Sequence, residues 1–192
     1  MIVRPKLYLA GPEVFLRDAI DIGRRKKGFC AEYGFEGLFP FDNQTHPEAC
    51  EEPIDRLIYR ANVAMIRDAD AGIFNLTPFR GPSADIGTVF ELGLLAGLGK
   101  PTFAYTNDGI DLLERMKRSR NAVFDEAAAQ WFDRGDMLIE DFGNVDNLMI
   151  DAYLAEQGED RFVRRMTAQS AAFDDLDGFV ECLQRASRHF GF

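Results

Sequence analysis

Asp68 to Tyr105, DADAGIFNLTPFRGPSADIGTVFELGLLAGLGKPTFAY, decides the fold of this chain. The apolar run Ala71 to Leu76 has strand length and stops at a turn-rich segment, Thr77-Pro78-Phe79-Arg80-Gly81-Pro82-Ser83. Asp85-Ile86-Gly87-Thr88 leads into a helical pattern over Gly87 to Leu98, which carries one acid, Glu91, among apolar neighbours. After Gly97 and Gly99 a second apolar run extends from Pro101 to Tyr105. Strand, loop, helix and strand make a βαβ unit with two carboxylates, Asp85 and Glu91, at the C-terminal edge of its first strand. In open α/β sheets that edge is where ligands bind.

Outward from this unit the same alternation continues. Lys6 to Ala10 reads as a first strand closed by Gly11-Pro12, and Val14 to Tyr33 as a helix ended by Gly34. Phe35 to Phe39 is a second strand stopped by Pro40. Asp42 to Glu52 is a polar loop, long for a simple connection. Pro53 sits where a helix can begin, and Ile54, Leu57, Ile58, Ala61, Met65 and Ile66 mark one face of a long helix ended by Asp70. The order β-α-β-α-β-α-β predicts a parallel sheet with right-handed crossovers. Strands one and three are nearly continuously apolar, as expected when both faces are covered.

Downstream the pattern loosens. Ile110 to Arg118 is a short helix, Arg120 to Asp136 fits neither period, and the mixed segment Met137 to Met149 is the expected home of a short fifth strand. Arg161 to Phe190 reads as a terminal helix with Phe173, Leu176, Phe179, Val180 and Leu183 on one side. Without repeats, low-complexity segments or linkers, residues 1–192 read as one domain, with a core over about 5–155 and a helical extension over about 156–192.

A chain of 192 residues, 46% hydrophobic, can bury one good core. Its net charge of −10 argues against nucleic acid as a partner, because phosphate backbones call for clustered Lys and Arg. The basic runs Arg24 to Lys27 and Lys117 to Arg120 read as solvated helix faces. Cys30, Cys50 and Cys182 have neither metal spacing nor an even count, which fits a reducing compartment. Met1 lies almost directly before a strand, and no apolar stretch has membrane-spanning length. The expectation is a cytoplasmic protein with no membrane partner.

The candidate chemistry is carboxylate chemistry. His46 and His189 are isolated, no serine nucleophile elbow exists, and Lys100 is followed by Pro101 rather than by the Ser or Thr of a P-loop. The six-residue separation of Asp85 and Glu91 lets a loop acid and a second-turn helix acid face one crevice. Apolar neighbours favour a neutral Glu91 while the helix N-terminus favours the anion, and the pattern leaves both open. An ordinary structural reading stands beside the functional one: Glu91 stabilises the first turn and Asp85 caps it. Gly81 and Gly87 suit either turn geometry or close approach to a ligand. Tyr8, at the end of a central first strand, is placed to aim its hydroxyl at Glu91.

Four blocks carry a resemblance: Tyr8-Leu9-Ala10-Gly11-Pro12, Asp70 to Asn75, Asp85-Ile86-Gly87-Thr88-Val89-Phe90-Glu91-Leu92-Gly93, and Gly99-Lys100-Pro101. In this order and spacing they resemble the nucleoside 2-deoxyribosyltransferase family over roughly residues 5 to 155. The resemblance implies a flavodoxin-like, Rossmann-like doubly wound parallel sheet of about five strands in three α/β/α layers. It implies nucleosides and nucleobases as partners, and cleavage of the N-glycosidic bond of 2′-deoxynucleosides with transfer of the sugar to another base. On it, Glu91 matches the nucleophile, Asp85 the acid that holds the sugar hydroxyls, and Tyr8 the tyrosine that positions the nucleophile. Gly11 and Gly87 fall within the substrate-binding blocks. Asn147-Leu148-Met149 matches a segment that reaches a neighbouring subunit's site, so a homo-oligomer with shared sites is expected, with Asn147 and Met149 contacting substrate there. No metal or organic cofactor is implied.

The chain departs from the family at two places. Asn62 falls where several members carry an aspartate that protonates the departing base, and an amide has no acidic proton to give. Asp42 and Asn43 are the substitutes expected to contact the base. About forty residues follow Met149, so no terminal carboxylate is assigned to the site. Two alternatives share the residues. One is hydrolysis of deoxynucleosides or their 5′-monophosphates, with Arg80, Arg17 and Ser83 available to a phosphate. The other is a nucleotide-sensing domain without turnover.

Overall fold

Leu7 and Leu9 turn to one face of their strand, Tyr8 and Ala10 to the other, and all four are fully buried. That alternation with no polar side is what a strand buried on both faces requires. In the computed structural model, which describes residues 4–42 and 52–192, this strand, β1 (Lys6–Ala10), lies inside a five-stranded sheet. Asn43, His46 and Cys50 lie outside the described residues.

The sheet order is β2-β1-β3-β4-β7, with β2 at Glu36–Leu38, β3 at Ala71–Asn75, β4 at Thr102–Thr106 and β7 at Phe162–Arg164. Every neighbouring pair is parallel, and Tyr8 stands opposite Gly72 of β3. Helices α1 (Ala19–Glu32) and α6 (Asp177–Phe190) cover one face, where Leu7, Leu9, Ile73, Phe103 and Tyr105 meet Ile22, Phe179 and Leu183. Helices α2 (Ile54–Asp68), α3 (Ile86–Gly97) and α5 (Leu148–Glu156) cover the other, where Tyr8, Phe74 and Ala104 meet Ile66, Leu92, Leu95 and Leu154. The result is a three-layer, doubly wound α/β fold. Its strand order reverses between β1 and β3, which opens a crevice at their C-terminal ends.

Several elements differ from the sequence reading. The helix expected from Val14 begins only at Ala19, because Pro12–Phe15 winds a separate 3-10 turn. Glu13 of that turn is fully buried, paired with the equally buried Lys26 of α1 and accepting from Asn75 Nδ2 at 2.9 Å. Residues 137–149 form no strand; the fifth strand of the sheet is β7 instead. The terminal helix expected over 161–190 is that strand, a linking segment and then α6. Between α4 (Leu112–Arg118) and α5, Val123–Asp125 (β5) and Gln130–Phe132 (β6) pair as a small antiparallel hairpin. Among the described residues no helix is long and apolar enough to cross a membrane.

Candidate active site

Aspartate at a helix N-cap satisfies an otherwise orphaned backbone N–H, and Asp85 does this for α3. Its Oδ2 accepts from the Thr88 N–H at 2.9 Å and from the Thr88 hydroxyl at 3.0 Å. The capping reading of Asp85 is therefore correct as local structure. Among the described residues the cap engages only Oδ2, so Oδ1 is free for a ligand. The cap also fixes where α3 starts, which sets the position of Glu91 one and a half turns later.

Glu91 Oε1 receives two donors: the Tyr8 hydroxyl at 2.7 Å and Asn62 Nδ2 at 3.3 Å. Tyr8 comes from β1, Asn62 from α2 and Glu91 from α3, so three elements converge on one oxygen. Oε2 has no hydrogen-bond donor among the described residues. Two donors on one oxygen orient the carboxylate and leave the other oxygen's lone pairs for chemistry. Burial pushes the Glu91 carboxyl up to about 7, against the two hydrogen bonds, which lower it; the charge of Asp85 adds to the rise. Burial is the largest of these influences. Tyr8 is itself raised well above the usual phenol range, by burial first and then by Glu91, so it stays a donor.

These residues face a cavity of about 450 Å³. Its polar side holds Glu91, Asn62 and Asp85, and its apolar side includes Phe15, Phe41 and Ile58. Gly11 and Gly87 also line it. A Cβ on Gly11 would stand 2.2 Å from Glu13 Oε2 and 2.6 Å from Asn75 Cβ, so glycine is required there by the buried pair behind it. On Gly87 a Cβ would stand 3.1 Å from Asp85 Oδ2, crowding the cap. The cavity is of ligand size, largely apolar, with a few convergent polar groups.

Other expected residues lie elsewhere. Asp42 is spent outside the cavity: one oxygen pairs with Lys27 Nζ and the other accepts from the Phe39 N–H at 2.9 Å. Its neighbours Pro40 and Phe41 line the cavity in its place. Asn147 caps α5, accepting from the Met149 N–H at 3.0 Å, and its amide donates to Glu140 at 2.7 Å. It does not line its own chain's cavity, and Met149 is 72% exposed. Sequence reasoning missed the aromatic wall. Phe15 follows the strand-closing Gly11-Pro12 and Phe41 follows Pro40, both just past the ends of strands, and that placement was the available signal. Among the described residues no group of three or more His, Cys, Asp or Glu side chains is arranged to hold a metal ion.

The family model described as nucleoside 2-deoxyribosyltransferase matches residues 7–149. The solved structure of a 2-desoxiribosyltransferase from Leishmania mexicana superposes with a TM-score of 0.61, covering 92% of this chain and 97% of that one at 28% identity. A conserved protein from Enterococcus faecalis V583 shares the fold, with a TM-score of 0.53 at 19% identity over 95% of this chain and 99% of that one. An uncharacterized protein of Schizosaccharomyces pombe is 30% identical over 166 residues, 80% of this chain and 79% of its own.

Proposed function

The chain belongs to the nucleoside 2-deoxyribosyltransferase family, and from that premise we propose that it exchanges bases between 2′-deoxynucleosides through a covalent deoxyribosyl-Glu91 intermediate. The observation that carries this reading is the convergence of Tyr8 and Asn62 on Glu91 Oε1.

Ionised Glu91 attacks C1′ through Oε2 as the C1′–N bond breaks, and the departing base keeps the bonding pair and takes a proton from water, since Asn62 has none to give. A second base then attacks C1′ from the vacated side, the C1′–O bond returns its pair to Glu91, and the incoming base sheds a proton. Two displacements on one carboxylate restore the original anomer. Charge builds on the sugar as oxocarbenium character, which the carboxylates of Glu91 and Asp85 stabilise. Asp85 Oδ1 receives a sugar hydroxyl, while Phe15, Phe41 and Ile58 flank the base. Asn62 orients the base and the nucleophile through its amide.

The protein is further read as a homo-oligomer in which Asn147 and Met149 complete a neighbour's site. Exposed apolar side chains support an interface: Met149 and Phe142 at 72% and 67%, and Ile86 and Phe90 on α3 at 86% and 57%. Incubation with deoxyinosine, with and without adenine or cytosine, tests the activity by product chromatography. A new deoxynucleoside is the expected product. Free deoxyribose alone would replace transfer with hydrolysis, and no product of either kind would remove the enzymatic reading.

A further inference from the structure

A second cavity, of about 870 Å³, opens at the same edge of the sheet beyond β3 and β4. It is larger than the one holding Glu91 and opposite in charge. Its charged lining is Arg80, Arg115 and Arg118 against Asp108, in a chain of net charge −10. The arginine ion pairs among the described residues involve none of these three. Among the described residues Arg80 and Arg118 have no ion-pair partner, while Arg115 sits in the field of Asp108, Asp146, Asp111 and Asp151; unpaired cations attract an anion from solution.

The cluster is built on a fixed frame. Arg115 donates to the carbonyls of Pro82, Asp108, Ile110 and Val145, and so ties the loop after β3, the exit of β4 and the approach to α5 to one guanidinium. Arg80 holds a left-handed backbone at φ 55°, a conformation that costs a non-glycine residue energy. Its guanidinium lies 4.6 Å above the Phe79 ring and 5.0 Å above Phe15. Contact with a ring face satisfies none of the guanidinium N–H donors, and no hydrogen bond to protein occupies them among the described residues. Phe79 in turn packs edge-on against Phe173, at 6.0 Å between ring centres, and Phe173 lines the cavity with Ile110.

We propose that this cavity is a second ligand site, for an organic phosphate of nucleotide size held by Arg80 and Arg118, with its organic part against Ile110 and Phe173. Guanidinium forks match phosphate oxygens in pairs, which favours phosphate over a single carboxylate. The volume far exceeds a lone phosphate ion and lies in the range of pockets for whole organic ligands. Asp85 and Glu91 line the other cavity, so the arginine side is the one that offers cations to such a ligand.

Isothermal titration calorimetry of the full chain with 5′-AMP and, separately, inorganic phosphate tests it. The expected result is one-to-one binding of 5′-AMP, tighter than of phosphate and weakened by salt. Arg118→Ala is expected to weaken it roughly tenfold to a hundredfold, the worth of one charge-assisted hydrogen bond, and Arg118→Lys by less. Arg118 is exposed, so its replacement leaves the core intact. Asp85→Ala is expected to bind 5′-AMP no more weakly than the native chain, with no displacement by deoxyinosine. Absence of binding at millimolar 5′-AMP would overturn the proposal, as would unchanged affinity in both Arg80→Ala and Arg118→Ala. Displacement by deoxyinosine would place the anion in the catalytic cavity, and equal affinity for phosphate would remove the organic part. Failure of base exchange in the chromatographic assay leaves these expectations standing, so the two readings fail separately.

Discussion

Tyr8 donates its hydroxyl to Glu91 Oε1 at 2.7 Å across 83 positions of sequence. The bond exists because β1 ends and α3 begins at the crevice where the sheet order reverses, which brings the two side chains together. Tyr8→Phe removes the donor and keeps the ring. Base exchange is expected to fall roughly tenfold to a hundredfold. The hydrogen bond lowers the Glu91 carboxyl, so its loss moves the acidic limb of the pH–rate profile to higher pH. A limb that stays in place would show that the tyrosine only packs.

Glu91 carries a cost that its replacement should expose. Its carboxyl is raised from 4.5 to about 7 in the fold, chiefly by burial. The fold therefore prefers the neutral acid. That contribution to stability is complete below about pH 4.5 and is lost as the pH climbs through about 7, up to about 3 kcal/mol. Glu91→Gln is expected to lower exchange on the order of 10³-fold or more while raising the melting temperature at about pH 8, with the gap narrowing near pH 5. Calorimetry at the two pH values reads this directly. A native chain as stable as the variant at the higher pH contradicts the burial argument.

Asn62→Asp puts a second carboxyl beside Glu91, where an amide now donates at 3.3 Å. Like charges raise one another's pKa. The acidic limb is expected to move up, and the ratio of purine to pyrimidine leaving groups to change because the base gains an acid. Rates with deoxyinosine and deoxycytidine across pH measure both. If neither changes, Asn62 has no part in orienting the base.

Two defective chains should repair each other. Glu91→Gln lacks the nucleophile but keeps Asn147, and Asn147→Ala keeps the nucleophile. If Asn147 serves a neighbour's site, a random mixture of dimers regains both groups at about a quarter of its sites. Mixed and unmixed activities, with sedimentation to read the assembly, test the expectation. A mixture no more active than its components would confine the site to one chain.

The central β-α-β-α-β-α-β order was legible because each strand there is an apolar run punctuated by Gly or Pro. Glu91 and Asp85 stood out because acids are rare in so apolar a segment. What stayed hidden was short or nonlocal. Phe162-Val163-Arg164 is three residues in a charged stretch and becomes a strand only because the edge of β4 is there to pair with it. The hairpin at 123–132 has no buried face in β5 to leave a pattern. The turn at Pro12–Phe15 depends on a charge pair that no periodicity reveals. Asp42 looked available in sequence, yet Lys27 and the Phe39 N–H claim it in space.

The buried Glu13–Lys26 pair also bears on how this sequence can change over generations. Loss of either member alone strands the other's charge in the core, at about 3–5 kcal/mol, and that is a large share of a domain's whole stability. Gly11 is bound to the same arrangement, since a side chain there would strike Glu13 Oε2. The three positions thus form one heritable unit at the floor of the crevice, open to drift only when they move together.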